Sequence, residues 1–548
     1  MLISEMLARN SRVYPRKIAL VELISAKNLR REITWSQFDE KANRVANALI
    51  EKGVEKGDRV LHLMYNSIEW LVVYFGIIRT GAWVVPLNFR FTSKDIKYCA
   101  EVSEAKMLIF GEEFIDRIKS VQSDSPLVKD YFVVGEGKPE NVETLEGTLR
   151  SASPRPPDVF ISTGDTCGLY FTSGTTGPPK PILLTHKNME SSAITNCVND
   201  NKRHDDNFVF LSPLYHTGSK MRWFGNLIVG SRATMLIGTN PRDIFQSMSE
   251  EKGTILMMLV PWALDILVAL DNGEIKLQDY DLSHWRLVTL GAQPIPPNVV
   301  DRWQKWLPEL EFDIGYGLSE GTGAGSIHLG AENWRKAASS EGMKGAIIGK
   351  AGFNWEARIF NEKGLDVSSG EVGELVVRGD GVMKGYYRNP DKTGETIKEG
   401  WLFTGDLAAM DDDGFIYLID RKKDVIISGG ENIYPIEVEE VLHNHPKIKD
   451  VAVIGIPDER LGEITAAVIE TKPGRSLTEE EVLLFSEQNL PRYRQPRCII
   501  FDKVPRNPTG KLEKPKLREK YTGVTALLKI ERERVYYLKP RKGGEHGS

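Results

Sequence analysis

The sequence predicts an α/β fold with a large N-terminal domain of layered sheets and helices and a small α+β C-terminal domain. Three observations predict it. Strand and helix patterns alternate past residue 300, short strands and glycine-rich turns follow from about residue 346, and a new compact pattern begins after the charged run 420–424. Alternating strands and helices are typical of a largely parallel sheet with helices on both faces. The 548 residues suffice for at least two such domains.

The first elements are signalled by capping and by apolar periodicity. A capping-box pattern at Thr34 opens an apolar-faced helix that Gly53 ends. The next three segments alternate between strand, helix and buried strand: 59–64, 68–78 and 83–87. This order predicts consecutive βαβ units in the N-terminal part of the chain.

The later elements are shorter and predict a different architecture. The strands after residue 346 favour a small barrel-like or distorted sheet at the end of the large domain. The charged run 420–424 is the predicted boundary, which places the large domain at 1–419 and the small one at 425–548. The small domain shows the order helix, strand, strand, helix and ends in a charged tail from about residue 521, which we expect to be loosely ordered.

The composition is that of an ordinary globular protein and gives no sign of nucleic-acid binding. Hydrophobic residues make up 41% of the chain and charged residues 27%, and the formal net charge is −5. Because the net charge is negative, an anionic ligand would have to be bound by local donors and cations. The four cysteines are far apart and form no CxxC pair, so neither a disulfide framework nor a zinc site is predicted.

Targeting and membrane segments are not predicted either. The N-terminus lacks the basic and apolar regions of a signal peptide, and the C-terminal residues match no peroxisomal or membrane signal. The longest apolar stretch, 255–270, contains Pro261 and Asp265 and is shorter than the roughly 20 residues that span a bilayer. It predicts a buried helix, and we expect a cytoplasmic protein without a transmembrane segment.

The segment 170–180, YFTSGTTGPPK, carries the strongest chemical signal in the chain. Its glycines allow backbone N–H groups to face an anion, its hydroxyls add donors, and its lysine adds a positive charge. It is not a Walker loop, because the Gly-Lys-Ser/Thr ending is missing. A surface loop rich in small polar residues is the alternative, but the full string favours a polyphosphate loop. The candidate ligands are Thr172, Ser173, Gly174, Thr175, Thr176, Gly177 and Lys180.

This loop resembles that of the ANL superfamily of adenylate-forming enzymes, which includes acyl-CoA synthetases, peptide-synthetase adenylation domains and beetle luciferases. The family pattern TSGTTG-x-PKG is matched through Lys180, after which Pro181 replaces the usual glycine. The resemblance extends from about residue 10 to 520, with the further motifs in family order. It implies a large AMP-binding domain and a small, mobile C-terminal lid.

A second motif, GYGLSE at 315–320, implies the adenine and metal side of the site. A tyrosine between glycines is commonly only a turn, but it can also lie flat on a purine, and a Ser–Glu pair suits Mg²⁺, which prefers oxygen ligands. The resemblance implies that Tyr316 and Gly317 bind adenine and that Ser319 and Glu320 contact phosphate and metal. It also assigns Gly291, Ala292 and Gln293 to the second adenine-side loop.

Four further positions acquire a role through the resemblance. Asp406, within WLFTGDL, matches the family's ribose ligand, and Arg421 matches the residue that supports the ribose or phosphate. Lys423, in the charged run 420–424, matches the hinge about which the small domain turns. Lys511, after a turn rich in proline and glycine, matches the catalytic lysine that neutralises charge on the α-phosphate and the carboxylate.

The remaining motifs concern coenzyme A and the acid. Gly429 and Gly430 match the segment that lines the pantetheine path, and KGYYRNP at 384–390 is typical of acyl-CoA synthetases. The resemblance places His216 at the gate of the acyl pocket, which Trp223 and Gly317 are expected to line. Lys220 and Arg222 are unusual in this region. They either face the acid or CoA, or they lie solvated on an outer face of the helix.

Together these motifs imply an AMP-forming acid–CoA ligase that uses ATP, Mg²⁺ and coenzyme A. If Trp223 points inward, its bulk favours medium-chain or cyclic and aromatic acids over long-chain ones. A stand-alone enzyme that loads a carrier protein in trans is the alternative. A non-catalytic ATP-binding protein would predict damaged motifs, and nothing in the sequence demands luciferase-like oxidation. The sequence leaves the acid and the oligomeric state open.

Overall fold

The computed structural model describes residues 1–122, 127–137, 139, 142–172, 179–291, 297–330, 333, 345–506 and 512–521. The chain divides into two compact units. The first comprises Met1–Thr404 and Ala409–Tyr417, and the second comprises Gly405–Ala408 and the chain from Leu418 onward. The domain limits and the hinge inferred from the charged run 420–424 stay predictions.

The first unit is rich in helices. They are α1 (Ile3–Val13), α2 (Trp35–Glu51), α3 (Ile68–Arg79), α4 (Ser93–Ser103), α5 (Ile115–Gln122), α6 (Leu145–Leu149), α7 (His186–Asn199), α8 (Thr217–Val229), α9 (Pro241–Glu250), α10 (Val260–Asp271), α11 (Pro297–Trp306) and α12 (Pro390–Thr396).

The strands of this unit occur throughout its length. They are β1 (Ile18–Ile24), β2 (Leu29–Thr34), β3 (Arg59–Leu63), β4 (Trp83–Pro86), β5 (Met107–Gly111), β6 (Asp130–Val134), β7 (Glu143–Thr144), β8 (Thr166–Thr172), β9 (Lys180–Thr185), β10 (Asn207–Phe210), β11 (Arg232–Ile237), β12 (Ile255–Leu259), β13 (Leu287–Gly291), β14 (Glu311–Leu318), β15 (Gly323–Leu329), β16 (Ala346–Ala351), β17 (Trp355–Phe360), β18 (Gly373–Gly379), β19 (Gly385–Tyr386) and β20 (Ile397–Lys398). Two further strands, β21 (Trp401–Met410) and β22 (Ile416–Arg421), have residues in both units.

The predicted start of α2 is confirmed. The Thr34 hydroxyl accepts a hydrogen bond from the Gln37 backbone N–H at 3.2 Å, and the Thr34 N–H donates to the side-chain oxygen of Gln37 at 3.0 Å. Beyond the helix, Gly53 adopts a φ of +82°, which glycine tolerates without a steric penalty. The apolar positions of α2, among them Phe38 and Val45, are fully buried.

The expectation of one buried helix over 255–270 is wrong. Its first five residues form β12, and α10 begins only at Val260. The physical reason is Pro261, which lacks an N–H group and is tolerated in the first turn of a helix but not in its interior. Over the residues that the structure describes, no helix is both long and apolar enough to cross a membrane.

Two sheets organise the first unit, as the alternating pattern predicts. In one, the strand order includes β2-β1-β11-β10-β12-β13-β14-β15-β16, in which the adjacent pairs between β1 and β14 are parallel, whereas β2 and β15 are antiparallel to their neighbours β1 and β14. In the other, the order is β19-β9-β8-β4-β3-β5-β6-β7, with a parallel run from β8 to β7. The carboxyl ends of adjacent parallel strands meet at one edge of a sheet, which is where α/β folds bind ligands.

The second unit is a small α+β structure. Its elements are β23 (Ile426–Ser428), β24 (Glu431–Ile433), α13 (Pro435–His443), β25 (Ile448–Asp458), β26 (Gly462–Thr471), α14 (Glu479–Asn489), β27 (Cys498–Phe501) and α15 (Lys514–Tyr521). The strands follow the order β24-β23-β26-β25, and β27 pairs in parallel with β26. A separate apolar core around Val438, Val453 and Ala467 supports this unit.

Candidate active site

The predicted phosphate loop connects two paired strands. Thr172 ends β8 and Lys180 begins β9, and the two residues are partners in the antiparallel ladder. The Thr172 hydroxyl also donates to the Lys180 carbonyl at 3.3 Å. The structure therefore fixes both ends of the loop. The predicted ligands between them, Ser173, Gly174, Thr175, Thr176 and Gly177, lie outside the described residues.

The segment around β19 connects the phosphate-loop strand to Glu320. The Tyr387 N–H donates to the Pro181 carbonyl at 2.9 Å, and the Met383 N–H donates to the Glu320 carbonyl at 2.8 Å. The Tyr386 hydroxyl donates to the Glu320 carboxylate at 3.0 Å. Burial raises the pKa of Tyr386, and the neighbouring carboxylate raises it further, so the phenol stays a donor. Sequence analysis noted this segment only as typical of a family and missed its contact with Glu320.

The adenine-side motifs lie on neighbouring parallel strands. Gly291 ends β13 and is the ladder partner of Gly315 in β14. A Cβ atom on Gly291 would lie 2.9 Å from the Gly315 carbonyl oxygen, so this close approach requires glycine. Tyr316, Gly317, Ser319 and Glu320 follow at the carboxyl end of β14, where all four are partly exposed. Ala292 and Gln293 lie outside the described residues.

Helix α8 begins directly after His216, beside these strands. His216 is half-buried and its ring lies 4.2 Å from that of Tyr215. A Cβ atom on Gly323, in β15, would come within 3.0 Å of the Thr217 carbonyl oxygen, so the first turn of α8 touches the strand that follows Glu320. A Cβ atom on Gly218 would meet no atom within 4 Å, which leaves open space beside the helix start.

Trp223 lies in the hydrophobic core. Its indole ring is fully buried and lies 6.0 Å from the ring of Phe75, 6.4 Å from that of Phe38 and 5.6 Å from that of Phe224. These partners connect α8 to α2 and α3. Trp223 is thus buried in the core, and whether it lines the acyl pocket stays a prediction.

The two cations of α8 are not solvated, so the outer-face alternative is wrong. Lys220 has no exposed surface, and Arg222 is 2% exposed. Arg222 contacts Asp200, at the end of α7, at 2.8 Å and Asp313, in β14, at 2.7 Å. Neither carboxylate was singled out from the sequence, because Asp200, Arg222 and Asp313 are separated by 22 and 91 residues.

The opposite charges around Arg222 shift one another's pKa values. Burial opposes ionisation of Asp313, but Arg222 and His328 outweigh it and hold the pKa of the Asp313 carboxyl well below its usual range. Asp313 in turn raises the pKa of His328, against the effect of burial. Lys202 lies 3.3 Å from Asp200. The cluster anchors α8 to β14, three residues before Tyr316.

The ribose motif lies within the second unit. Asp406 is buried, and its carboxylate lies 3.3 Å from the Arg421 guanidinium, which is 42% exposed. The Lys422 N–H donates to the Gly405 carbonyl at 2.9 Å. This backbone hydrogen bond joins the residues next to Arg421 and Asp406. Burial lowers the pKa of the neighbouring Lys423, and the charge of Arg421 adds to the effect. The structure thus brings Asp406 and Arg421 together, as the motif order suggested.

Lys511 lies outside the described residues, but the chain on both sides of it is fixed. Arg506 and Leu512 form an antiparallel bridge. Both nitrogen atoms of the Arg506 fork bind the Asp450 carboxylate, at 2.7 and 2.8 Å. Burial alone would raise the pKa of Asp450, but the hydrogen bonds from Arg506 and His443 lower it to about 2.

The two glycines of the predicted pantetheine segment form a tight turn. Gly429 and Gly430 connect β23 to β24, with Ser428 and Glu431 as ladder partners. Their φ angles are +61° and +86°, which a two-residue turn between antiparallel strands requires. A Cβ atom on Gly430 would meet no atom within 4 Å, so the turn faces open space on this side.

Comparisons with known proteins agree on one family. The sequence model of the AMP-binding enzyme family matches residues 7–387. The sequence model of the AMP-binding enzyme C-terminal domain matches residues 437–511. The chain is 31% identical to the long-chain-fatty-acid–CoA ligase FadD13 of Mycobacterium tuberculosis, over 94% of this chain and 98% of that protein.

Two solved structures are similar throughout. The anthranilate CoA ligase AuaEII in complex with anthranoyl-AMP is 26% identical, with a TM-score of 0.82, and 96% of this chain and 98% of that one are covered. The o-succinylbenzoate–CoA synthetase MenE of Bacillus subtilis, in complex with ATP and magnesium, is 25% identical, with a TM-score of 0.79 and coverage of 94% and 99%.

Arg222→Met should destabilise the first unit by about 3–5 kcal/mol, because it leaves two buried carboxylates facing each other without their main cation. The ten tryptophans among the described residues all lie in the first unit, so the free energy of unfolding can be followed by tryptophan fluorescence in urea. Arg302→Met is the matched control, since it removes a surface pair with Asp271 and should cost less than about 1 kcal/mol. Equal losses in the two variants would contradict the role given to the buried cluster.

Proposed function

Because this chain belongs to the AMP-binding enzyme family of adenylate-forming enzymes and is an AMP-forming acid–CoA ligase, we propose that it activates a medium-chain, cyclic or aromatic carboxylic acid. Its substrates are ATP, coenzyme A and a small carboxylic acid, and Mg²⁺ is its cofactor. The observation that carries the proposal is the meeting of three motifs in the first unit. β8 pairs with β9, the segment 383–387 joins β9 to Glu320, and Gly323, three residues after Glu320, lies against the start of α8.

We propose the following roles for the first half-reaction. The acid carboxylate attacks the α-phosphorus of ATP, a new P–O bond forms, and pyrophosphate leaves. The loop from Thr172 to Lys180 holds the phosphates, and Tyr316 stacks on adenine. Lys511 stabilises the negative charge that develops at the α-phosphate, and no nucleophile from the protein is required.

The Glu320 side chain suits Mg²⁺. It offers carboxylate oxygens on a partly exposed turn and is held in place by Tyr386, and Ser319 adds a hydroxyl beside it. When bound there with the phosphates of ATP, Mg²⁺ would neutralise their charge. The Asp406 carboxylate would accept hydrogen bonds from the ribose hydroxyls, and Arg421 would hold that carboxylate in position.

In the second half-reaction, the thiol of coenzyme A attacks the acyl carbon, a thioester forms, and AMP leaves with the former carboxylate oxygen. We assign Gly429 and Gly430 to the pantetheine path, Lys423 to the hinge and His216 to the gate beside the acyl group. A carrier protein as the acceptor is not favoured. The relatives that match over nearly their full lengths are named as CoA ligases.

We place the enzyme in the cytoplasm. All four cysteines are buried as free thiols, which suits a reducing compartment. The proposal includes that the enzyme meets its substrates ATP and coenzyme A in this compartment.

Lys511→Ala should slow adenylate formation by about 100-fold or more, because it removes the cation that stabilises the developing charge. Thioester formation from a supplied acyl-adenylate should change far less. The control is Lys516→Ala, which removes an exposed lysine that pairs with Glu513. Both half-reactions are measured separately, by pyrophosphate exchange and by thioester release. Equal losses in both would show that the assigned role is wrong.

Gly430→Leu should block thioester formation while pyrophosphate exchange continues, because a branched side chain would fill the open side of the β23–β24 turn. The substitution also strains the backbone at φ +86°. Gly474→Leu controls for this strain, since Gly474 has a φ of +73° and equally open surroundings in the same unit. CoA-dependent turnover that is the same in both variants would remove Gly430 from the path.

Trp223→Ala should extend the accepted chain length of the acid, because it empties the volume of an indole in α8. It should also cost about 3–5 kcal/mol of stability, as for other buried tryptophans. Trp303→Ala removes an equally buried indole from the other core of the first unit and should leave the length profile unchanged. A wild-type optimum at palmitate or longer would contradict the proposed substrate class.

A further inference from the structure

The ammonium group of Lys220 lies inside a box of aromatic rings. Its Nζ is 4.3 Å from the ring centre of Tyr170, 4.7 Å from that of Tyr74 and 5.4 Å from that of Trp70. The side chain has no exposed surface. The box joins three elements, α8 with Lys220, α3 with Trp70 and Tyr74, and β8 with Tyr170.

The hydrogen bonds in the box leave the cation without an anion. Nζ donates to the Tyr170 hydroxyl at 3.0 Å, and the hydroxyls of Tyr170 and Tyr74 lie 2.8 Å apart. Within the described ranges, no carboxylate lies at ion-pair distance from Lys220. Burial raises the pKa of the neighbouring Cys167 to about 12, so this thiol stays protonated. The Lys220 amine donates one hydrogen bond to Tyr170, and in its protonated form it can donate two more to a further acceptor.

Arg222, two residues later on the same helix, shows what a satisfied buried cation looks like here. It lies between two carboxylates at 2.7 and 2.8 Å. Burial without such a partner lowers the pKa of Lys220 well below its usual range. The rings attract a cation, but an aromatic face replaces only part of the lost hydration. A ligand that brought its own carboxylate would complete this site.

The box is close along the chain to two predicted elements of the site. Lys220 follows His216 by four residues, one turn or about 6 Å along the helix. Tyr170 precedes Thr172, the first residue of the predicted phosphate loop, by two positions. The carboxylate to be activated must lie near the α-phosphate and the start of α8, so the body of the acid extends toward α8 and the box.

We infer that Lys220 is a specificity-determining residue that binds a second carboxylate on the body of the acid, so that the preferred substrates are dicarboxylic acids. The hydroxyl pair of Tyr74 and Tyr170 has one proton left to donate to the same group, and the rings of Trp70 and Tyr74 would pack on the carbon chain. This inference rests on the proposed function, since it assumes that the acid is bound at α8.

The test compares acids that differ only at the far end. CoA-dependent AMP release gives kcat/KM for straight-chain acids of four to ten carbons that end in a methyl, a hydroxyl or a second carboxylate. The wild-type enzyme should prefer the dicarboxylic acid at its best length. Lys220→Met should lower kcat/KM for that acid by about 100-fold, the effect of losing a charged hydrogen bond, and leave the methyl-ended acid within about threefold.

Two further variants keep the test decisive. Lys202→Met removes a buried lysine that already has a carboxylate partner, Asp200, and should leave the preference unchanged. Tyr74→Phe keeps the ring and removes one donor, and it should weaken the preference several-fold even if Lys220→Met does not fold.

The outcomes separate this inference from the function on which it rests. A wild-type preference for methyl-ended acids at every length would overturn it, as would an equal preference in the wild type and Lys220→Met. If no acid of any class supported CoA-dependent AMP release, the proposed function itself would fail.

Discussion

The position of helix α8 depends on one buried interaction, that of Arg222 with Asp200 and Asp313. A guanidinium in the interior is stable only where carboxylates replace its hydration, and here one comes from the end of α7 and the other from β14. Because Asp313 precedes Tyr316 by three residues, the same ion pair fixes the distance between the adenine-side strand and the start of α8. The ion pairs thus also hold the start of α8, directly after His216, near β14.

Lys220 differs from Arg222 in a way that packing alone does not explain. Both side chains are fully buried on one helix, yet only Arg222 has carboxylate partners in the described chain. An apolar residue at position 220 would fill the aromatic box without the desolvation cost of an ammonium. Buried groups that remain under-satisfied in the free protein are typical of ligand sites, because the ligand supplies the missing partner.

Sequence analysis predicted the fold class, the family, the cofactors and the start of α2, because each is encoded in short contiguous patterns. It failed where contacts join distant segments. The Tyr386–Glu320 hydrogen bond spans 66 residues, and no local pattern signals it. The stretch 255–270 was assigned to one helix because its hydrophobicity does not distinguish a buried strand from a buried helix, and only Pro261 marked the change. Lys220 and Arg222 were ambiguous because their burial depends on tertiary partners.

The predicted hinge at 420–424 meets a physical constraint in the second unit. Asp420 accepts the backbone N–H of Ile436, at the start of α13, at 2.9 Å, and Asp424 pairs with Arg518 of α15 at 2.7 Å. Burial raises the pKa of Asp420 to about 6, although Lys514 acts in the opposite direction. Lys423 therefore lies between two residues that are both bound to helices of its own unit. Asp420 and Ile436 lie on opposite sides of Lys423 in the chain, so rotation about Lys423 would have to break their hydrogen bond, whereas Asp424 and Arg518 both follow Lys423 and would move together. The hydrogen bond between Asp420 and Ile436 is therefore the contact that a hinge at Lys423 would have to break.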